Sequence, residues 1–316
     1  MSVAAAPTFA SAAGSRKVKN SAATVLVTGS FLVALIPLVW LLWTVISKGV
    51  HVIVKSSWWT ESQRNKTYTD AGGGALHAIV GTLEQVALCT VISVPVAVLV
   101  GIYLVEYGRG PMARVTTFMV DIMTGIPSMV AALFIYALFV STLGQNRAGW
   151  LVSLALVILM IPVVVRTTEE MLKLVPNELR EASYALGVPK WKTIVKVVLP
   201  TAFTGLVTGV VLGIARVAGE TAPLLILVGY SGDTNTSLFK GFQGSLPTMI
   251  NDQFTNLNHA TGSGSYHLGP NGERIAGAVA NYAPDRMWGT ALTLIVIVLA
   301  LNFIARFIGR FNQVTD

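Results

Sequence analysis

Residues 181–200 read EASYALGVPKWKTIVKVVLP. On either side the chain runs through long apolar stretches, yet here Lys190, Lys192 and Lys196 cluster, and Gly187 and Pro189 interrupt the local periodicity. From Asn177 to Leu186, the positions Leu179, Ala182, Ser183 and Leu186 recur at i, i+3, i+4 and i+7. This places them on one weakly apolar, small-residue face of a short helix, with Glu178, Arg180 and Glu181 off that face. Pro176 suits the first turn, where a missing N–H does no harm. Gly187 suits the left-handed residue that closes a helix. Pro189 restarts a second helix, in which Trp191, Ile194, Val195 and Val198 form an apolar side and Lys192 and Lys196 a polar one. Pro200 is expected to bend the chain into the next apolar run. Two readings follow: an amphipathic helix that anchors a loop at the membrane surface, or a docking element whose small-residue face another protein approaches closely.

The rest of the chain decides where such a segment sits. Of its 316 residues, 53% are hydrophobic and 12% charged, about half the charge of a soluble domain. A helix needs about 20 apolar residues to cross the hydrocarbon. Six runs qualify: 25–47, 76–105, 115–142, 150–168, 203–229 and 288–308. They are too long and too continuous for barrel strands, which alternate over about ten residues, so the expected fold is an all-α integral membrane bundle of six helices. With the N-terminus inside, thirteen Lys and Arg residues fall on inner segments and eight on outer ones, although the outer loops are longer. That bias places both termini in the cytoplasm. The formal charge of +7 is then mostly a topology signal, which argues against nucleic acid as a partner.

Residues 1–24 read as a cytoplasmic tail and 25–310 as the membrane domain. That domain has an inner segment at 169–200 and an outer loop at 230–287. The basic cluster Arg16–Lys19 precedes an apolar core longer than that of a signal peptide, so 25–47 reads as a retained anchor. Cys89 stands alone. His51, His77, His259 and His267 lack metal-ligand spacing and are expected at the surface; no metal is assigned. The outer stretch NHATGSGSYHLGPNGERIAG (258–277) reads as a flexible loop.

Glu181-Ala182-Ser183, then Gly187, then Val197-Val198-Leu199-Pro200 resembles the EAA loop of ABC importer permeases. In that pattern Glu-Ala-Ala, three residues, Gly and nine residues precede Ile-x-Leu-Pro. Ser183 and Val197 are the departures. The resemblance implies a type I importer permease fold and a cytoplasmic ATPase that couples through Glu181, Ala182, Ser183, Leu186, Gly187, Leu199 and Pro200. Three further stretches, GGGALHAIVGTL (72–83), GIPSMVAALF (125–134) and ARVAGETAPLLIL (215–227), resemble the phosphate-specific transport branch. The last has the Gly-Glu-Thr-Ala-Pro-Leu-Leu form of the PstA type. The outer stretch 248–287 departs from that pattern. The resemblance implies phosphate import by alternating access across a bacterial cytoplasmic membrane. It further implies a PstC-like permease as heterodimer partner, two PstB-like ATPases and a PstS-like binding protein. Cofactors, ATP and Mg, are implied on the ATPase alone, and this chain has no Gly-x-x-x-x-Gly-Lys-Ser/Thr loop. Sulfate or molybdate permeases share the EAA loop but lack the Gly-Glu-Thr-Ala-Pro block. A secondary transporter or channel would be favoured by inverted repeats, which the sequence does not display.

Within the spans, Pro127 and Pro223 each remove a helical hydrogen bond, beside Thr124 and Ser128 in one case and Thr221 in the other. Arg216 and Glu220 are four apart and expected on one helix face. A charge at the bilayer centre costs at least about 2.5–3.5 kcal/mol, so the two read either as an ion pair locking helices or as a pathway or gate pair. Arginine's fork suits an oxyanion. Glu84 and Asp121 are expected in helix-end or packing roles.

Overall fold

The computed structural model describes residues 14–257, 266–268, 274–276 and 281–311. Residues 1–47 and 48–316 form two compact units. The first is dominated by α1 (Gly14–Ile53), whose side chains are largely exposed. This helix contains the expected apolar run 25–47 and carries helical structure through the basic cluster ahead of it.

The second unit is built around α6 (Gly149–Lys173), whose Leu151, Leu156, Met160, Val165 and Leu172 are fully buried. Packed around it are α3 (Leu76–Ile102), α4 (Pro111–Thr124), α5 (Ser128–Ile135) and α9 (Leu199–Ala218). The last helix, α12 (Ala283–Phe311), packs on α9. Short elements complete the described chain: α2 (Ser56–Thr60), α7 (Asn177–Ala185), α8 (Lys190–Thr193), α10 (Ala222–Leu227) and α11 (Leu246–Thr255). Three π-helical turns lie at Tyr103–Tyr107, Tyr136–Thr142 and Ile194–Val198. We call the end of the bundle that carries α7 and α8 the near end and the other the far end.

Among the described residues five helices are long and apolar enough to span a membrane, and a bent pair that passes the same test together brings the number to six if it counts as one span. That pair corrects the expected straight span 115–142. α4 and the helix from Ser128 to Thr142 meet at 103°, with Gly125 ending one and Pro127 capping the other. The expected span 203–229 is displaced toward the N-terminus: the helix stops at Ala218, and the apolar helical run that contains it begins earlier, at Lys190.

α6 and α9 approach closely because α9 presents Gly205, Gly209 and Gly213, four residues apart, to Met171, Thr167 and Val164 of α6. Small residues at this spacing let helix backbones meet in lipid. A Cβ on Gly209 would collide with the stiff β-branched Thr167. Gly209→Ala should therefore destabilise the bundle by about 1–3 kcal/mol, the usual cost of overpacking. Thermal unfolding in detergent measures this; an unchanged midpoint would show that the contact is not tight.

At the far end, Arg286 of α12 donates to the carbonyls of Thr67 (2.8 Å), Asp70 (2.5 Å) and Gly72 (2.9 Å). The Asp70 carboxylate accepts from the Thr67 backbone N–H and hydroxyl, and these bonds hold it below the ordinary aspartate range. His77 is buried, not at the surface, with Nε2 3.2 Å from the Tyr230 hydroxyl. His259 and His267 lie outside the residues whose side chains are described. Part of the outer loop is regular structure among the described residues. It holds α11, started by a Ser245–Thr248 capping box, and a two-stranded antiparallel hairpin, β1 (Tyr266–Leu268) with β2 (Arg274–Ala276). The remainder of 258–277 lies outside the described residues.

Candidate functional site

The near-end segment is a helix–turn–helix. Pro176 precedes α7, and α7 closes in a Schellman motif: Gly187 N–H donates to Tyr184 O (2.9 Å) and Val188 N–H to Ser183 O (3.2 Å). Gly187 takes φ +74°, the left-handed conformation that glycine adopts without a Cβ penalty. Of the expected docking face, Leu179, Ala182 and Leu186 point outward, and Leu186 is 84% exposed. Glu181 is also exposed. Ser183 departs from that face. It is buried, and its hydroxyl meets that of Thr193 in α8 at 2.9 Å, tying the two helices together.

In the second helix Ile194 and Val198 are buried while Trp191 and Val195 are exposed. Pro200 does not bend the chain, contrary to expectation. Leu199 N–H reaches back to Ile194 O in the π turn just before it. Pro200 then falls at the start of α9, where its absent N–H is not needed. Lys190 to Ala218 is thus one continuous helical run, with Leu199 half-buried and Pro200 exposed.

Arg180 lies off the small-residue face, and its periodicity gives it no partner. Its guanidinium turns inward. It donates to Glu106 Oε1 from Nε (3.0 Å) and Nη2 (2.9 Å), and to the carbonyls of Val175 (2.6 Å) and Leu172 (2.9 Å). A second cluster lies nearby. Arg166 of α6 binds Asp121 of α4 and Glu169 (2.6 Å), at the wall of a cleft of about 490 Å³ that Arg114 also lines. Asp121 therefore ties α4 to α6. Glu84 accepts from Gln243 Nε2 at 2.5 Å.

The two helices that follow the proline breaks pack together, α5 against α10. Each proline starts a new helix rather than kinking an existing one: Pro127 caps α5 and Pro223 lies in the first turn of α10. Ser128 and Thr221 are half-buried beside them, whereas Thr124 donates its hydroxyl to Val120 O (2.9 Å) within its own helix. The expected Arg216–Glu220 pair is not formed. α9 ends between the two residues, with Gly219 N–H on Arg216 O and Glu220 N–H on Val217 O. These tight turns rotate Glu220 off the face that carries Arg216. Arg216 is exposed, and among the described residues neither side chain has an ion-pair partner.

Comparison with known proteins agrees with this geometry. The family model described as "Binding-protein-dependent transport system inner membrane component" matches residues 93–313. The chain is 51% identical over 293 residues to the "Phosphate transport system permease protein PstA 1" of Mycobacterium tuberculosis (strain ATCC 25618 / H37Rv), covering 93% of this chain and 88% of that one. It is 49% identical to the PstA protein of Mycobacterium leprae (strain TN), covering 91% and 87%. It is 43% identical to that of Yersinia pestis, covering 66% and 70%. Among solved structures, a chain of the inward-facing MetNI methionine ABC transporter aligns with a TM-score of 0.53 at 18% identity, over 76% of this chain and 94% of that one. A bacterial ABC transporter that imports alginate aligns at 0.57 and 13%, over 92% and 96%. These two speak to the fold alone.

Proposed function

The chain belongs to the family of binding-protein-dependent transport system inner membrane components, and from that premise we propose that it is the phosphate-translocating permease subunit of an ATP-driven importer. The observation that carries the reading is the 51% identity to a phosphate permease across nearly the whole of both chains. The outward face of α7 adds a local reason for an ATPase partner. Leu179 and Leu186 are exposed apolar side chains on a helix whose polar anchors, Arg180 and Ser183, turn toward the bundle.

On this reading ATP and Mg sit on a separate PstB-like ATPase, of which two copies engage the α7 face and its counterpart on a PstC-like permease. A PstS-like protein delivers phosphate to the far end. The coupling residues are Glu181, Ala182, Leu186 and Gly187 on the docking side, Ser183 as an internal tie, and Leu199 and Pro200 where α8 continues into its span. Arg216, Glu220, Thr221, Thr124 and Ser128, around the breaks at Pro127 and Pro223, are assigned to the translocation pathway. Both termini lie in the cytoplasm. A cysteine at Arg64 is then labelled by an impermeant thiol reagent from outside, and one at Lys173 only after permeabilisation.

Reconstitution of the four-component complex in vesicles tests the assignment. ATP-dependent accumulation of radiolabelled phosphate is expected, without accumulation of sulfate or molybdate. Uptake of either other oxyanion in place of phosphate would overturn the substrate assignment.

A further inference from the structure

We propose that the Arg180–Glu106 contact is where movement of α7 passes into the membrane bundle, making Arg180 and Glu106 positioning residues for coupling. The proposal rests on the reading of this chain as an importer permease. It concerns a pair that lies behind the docking face.

α7 has almost no apolar hold on the bundle. Ser183 is its one buried residue. A helix attached this way moves with the bundle only as far as its polar contacts carry it. Those contacts converge on Arg180. The Glu106 carboxylate that it binds has a side chain only 5% exposed, and the Arg180 side chain is itself only 13% exposed. In such a site an ion pair is screened little by salt, and two donors on one oxygen fix the guanidinium plane. The same guanidinium reaches the carbonyl of Leu172, at the end of α6, and that of Val175, two residues past it. One side chain thereby joins α7 to the ends of two spans.

The receiving side points the same way. Glu106 lies in the π turn Tyr103–Tyr107 that prolongs α3. π turns are rare and are frequent at functional sites. α8 grips the same turn from its own side: Lys190 Nζ donates to the Glu106 carbonyl and stands 4.7 Å from the Tyr107 ring centroid. The Ser183–Thr193 bond keeps α7 and α8 together, and α8 runs unbroken into α9. A push on α7 therefore reaches α3 through Glu106, α6 through the Leu172 carbonyl and α9 through α8. Of these, the Glu106 link alone depends on a charge pair between side chains distant in sequence.

A merely structural pair would affect assembly; a transmitting pair affects coupling in an assembled complex. The readout is the ratio of ATP hydrolysis with loaded phosphate-binding protein to hydrolysis without it, in the full complex in vesicles. Glu106→Gln keeps the volume and one acceptor. It is expected to co-purify with the ATPase and keep basal hydrolysis, while the stimulation ratio falls about tenfold, within the usual range of coupling between sites. A second variant guards against misfolding. Glu106→Cys/Arg180→Cys, joined by a cleavable thiol crosslinker in the assembled complex, should be stimulated while linked and lose stimulation when the link is cleaved. Stimulation by Glu106→Gln equal to wild type, or a ratio unchanged by cleavage, overturns the proposal. Lack of stimulation in the wild-type complex would instead count against the phosphate-importer reading, so the two failures are distinguishable.

Discussion

A Gly187→Val chain should insert normally, yet import phosphate at about one-fifth to one-thirtieth of the wild-type rate. The left-handed conformation costs a residue with a Cβ about 1–2 kcal/mol, and a free energy of that size shifts a two-state population about 5–30-fold. Steric crowding is not the cause, because a Cβ at Gly187 would meet nothing within 4 Å. The cost falls on the backbone at φ +74°. Relief of that strain breaks the Gly187–Tyr184 and Val188–Ser183 bonds that close α7. The helix then frays at Leu186, the most exposed apolar side chain of the docking face. Insertion is spared because the segment lies outside the buried core around α6. Gly187→Asn, which tolerates the left-handed region, should retain most activity. Uptake by Gly187→Val at the wild-type rate, with equal protein in the membrane, would remove the cap from the coupling mechanism.

The second large effect belongs to Arg216. Arg216→Gln is expected to reduce phosphate uptake to background while the complex still assembles. An exposed arginine without a carboxylate partner keeps all its donors for an incoming anion, and the planar fork matches two oxyanion atoms at once. Assembly should survive because no buried partner is orphaned: Glu220 is half-buried and, among the described residues, its bonds are those of its backbone. The double substitution Arg216→Gln/Glu220→Gln should be no better than the single one. With no ion pair between them, removing the Glu220 charge relieves nothing that the loss of Arg216 created. Recovery of uptake in the double mutant would show that the two pair in another state of the cycle and that Arg216 locks helices. Near-normal uptake in the single mutant would take Arg216 out of the pathway altogether.

Much of this architecture is legible in the sequence, for physical reasons that also mark where legibility stops. Hydropathy locates each crossing because every span must bury its own backbone in lipid. Pro127 and Pro223 announce missing donors, but a missing donor is compatible with a kink or with the start of a new helix, and neighbouring helices decide which. The pairing of Arg216 with Glu220 required an unbroken helix through Gly219. Once α9 closes at Ala218, four residues of separation no longer mean one face. Arg166 and Glu169, three apart inside α6, show the same rule holding where the helix is continuous. Asp121–Arg166 and Glu106–Arg180 span 45 and 74 residues. No local periodicity connects such partners. Ser183 shares a helical stripe with Leu179 and Ala182, and the Thr193 hydroxyl on the next helix is what turns its side inward.

The two sides of α7 have different histories ahead of them. Arg180 and Ser183 answer to residues of the same polypeptide, so one gene must keep them compatible with Glu106 and Thr193. Leu179, Ala182 and Leu186 face outward, and on the proposed function their complement is encoded by a different gene. Substitutions on the outer side can therefore drift in step with an ATPase, while the inner side stays still. A chimaeric importer that borrows its ATPase from a distant relative should be repaired by exchanging those three outward residues alone, leaving the inward ones untouched.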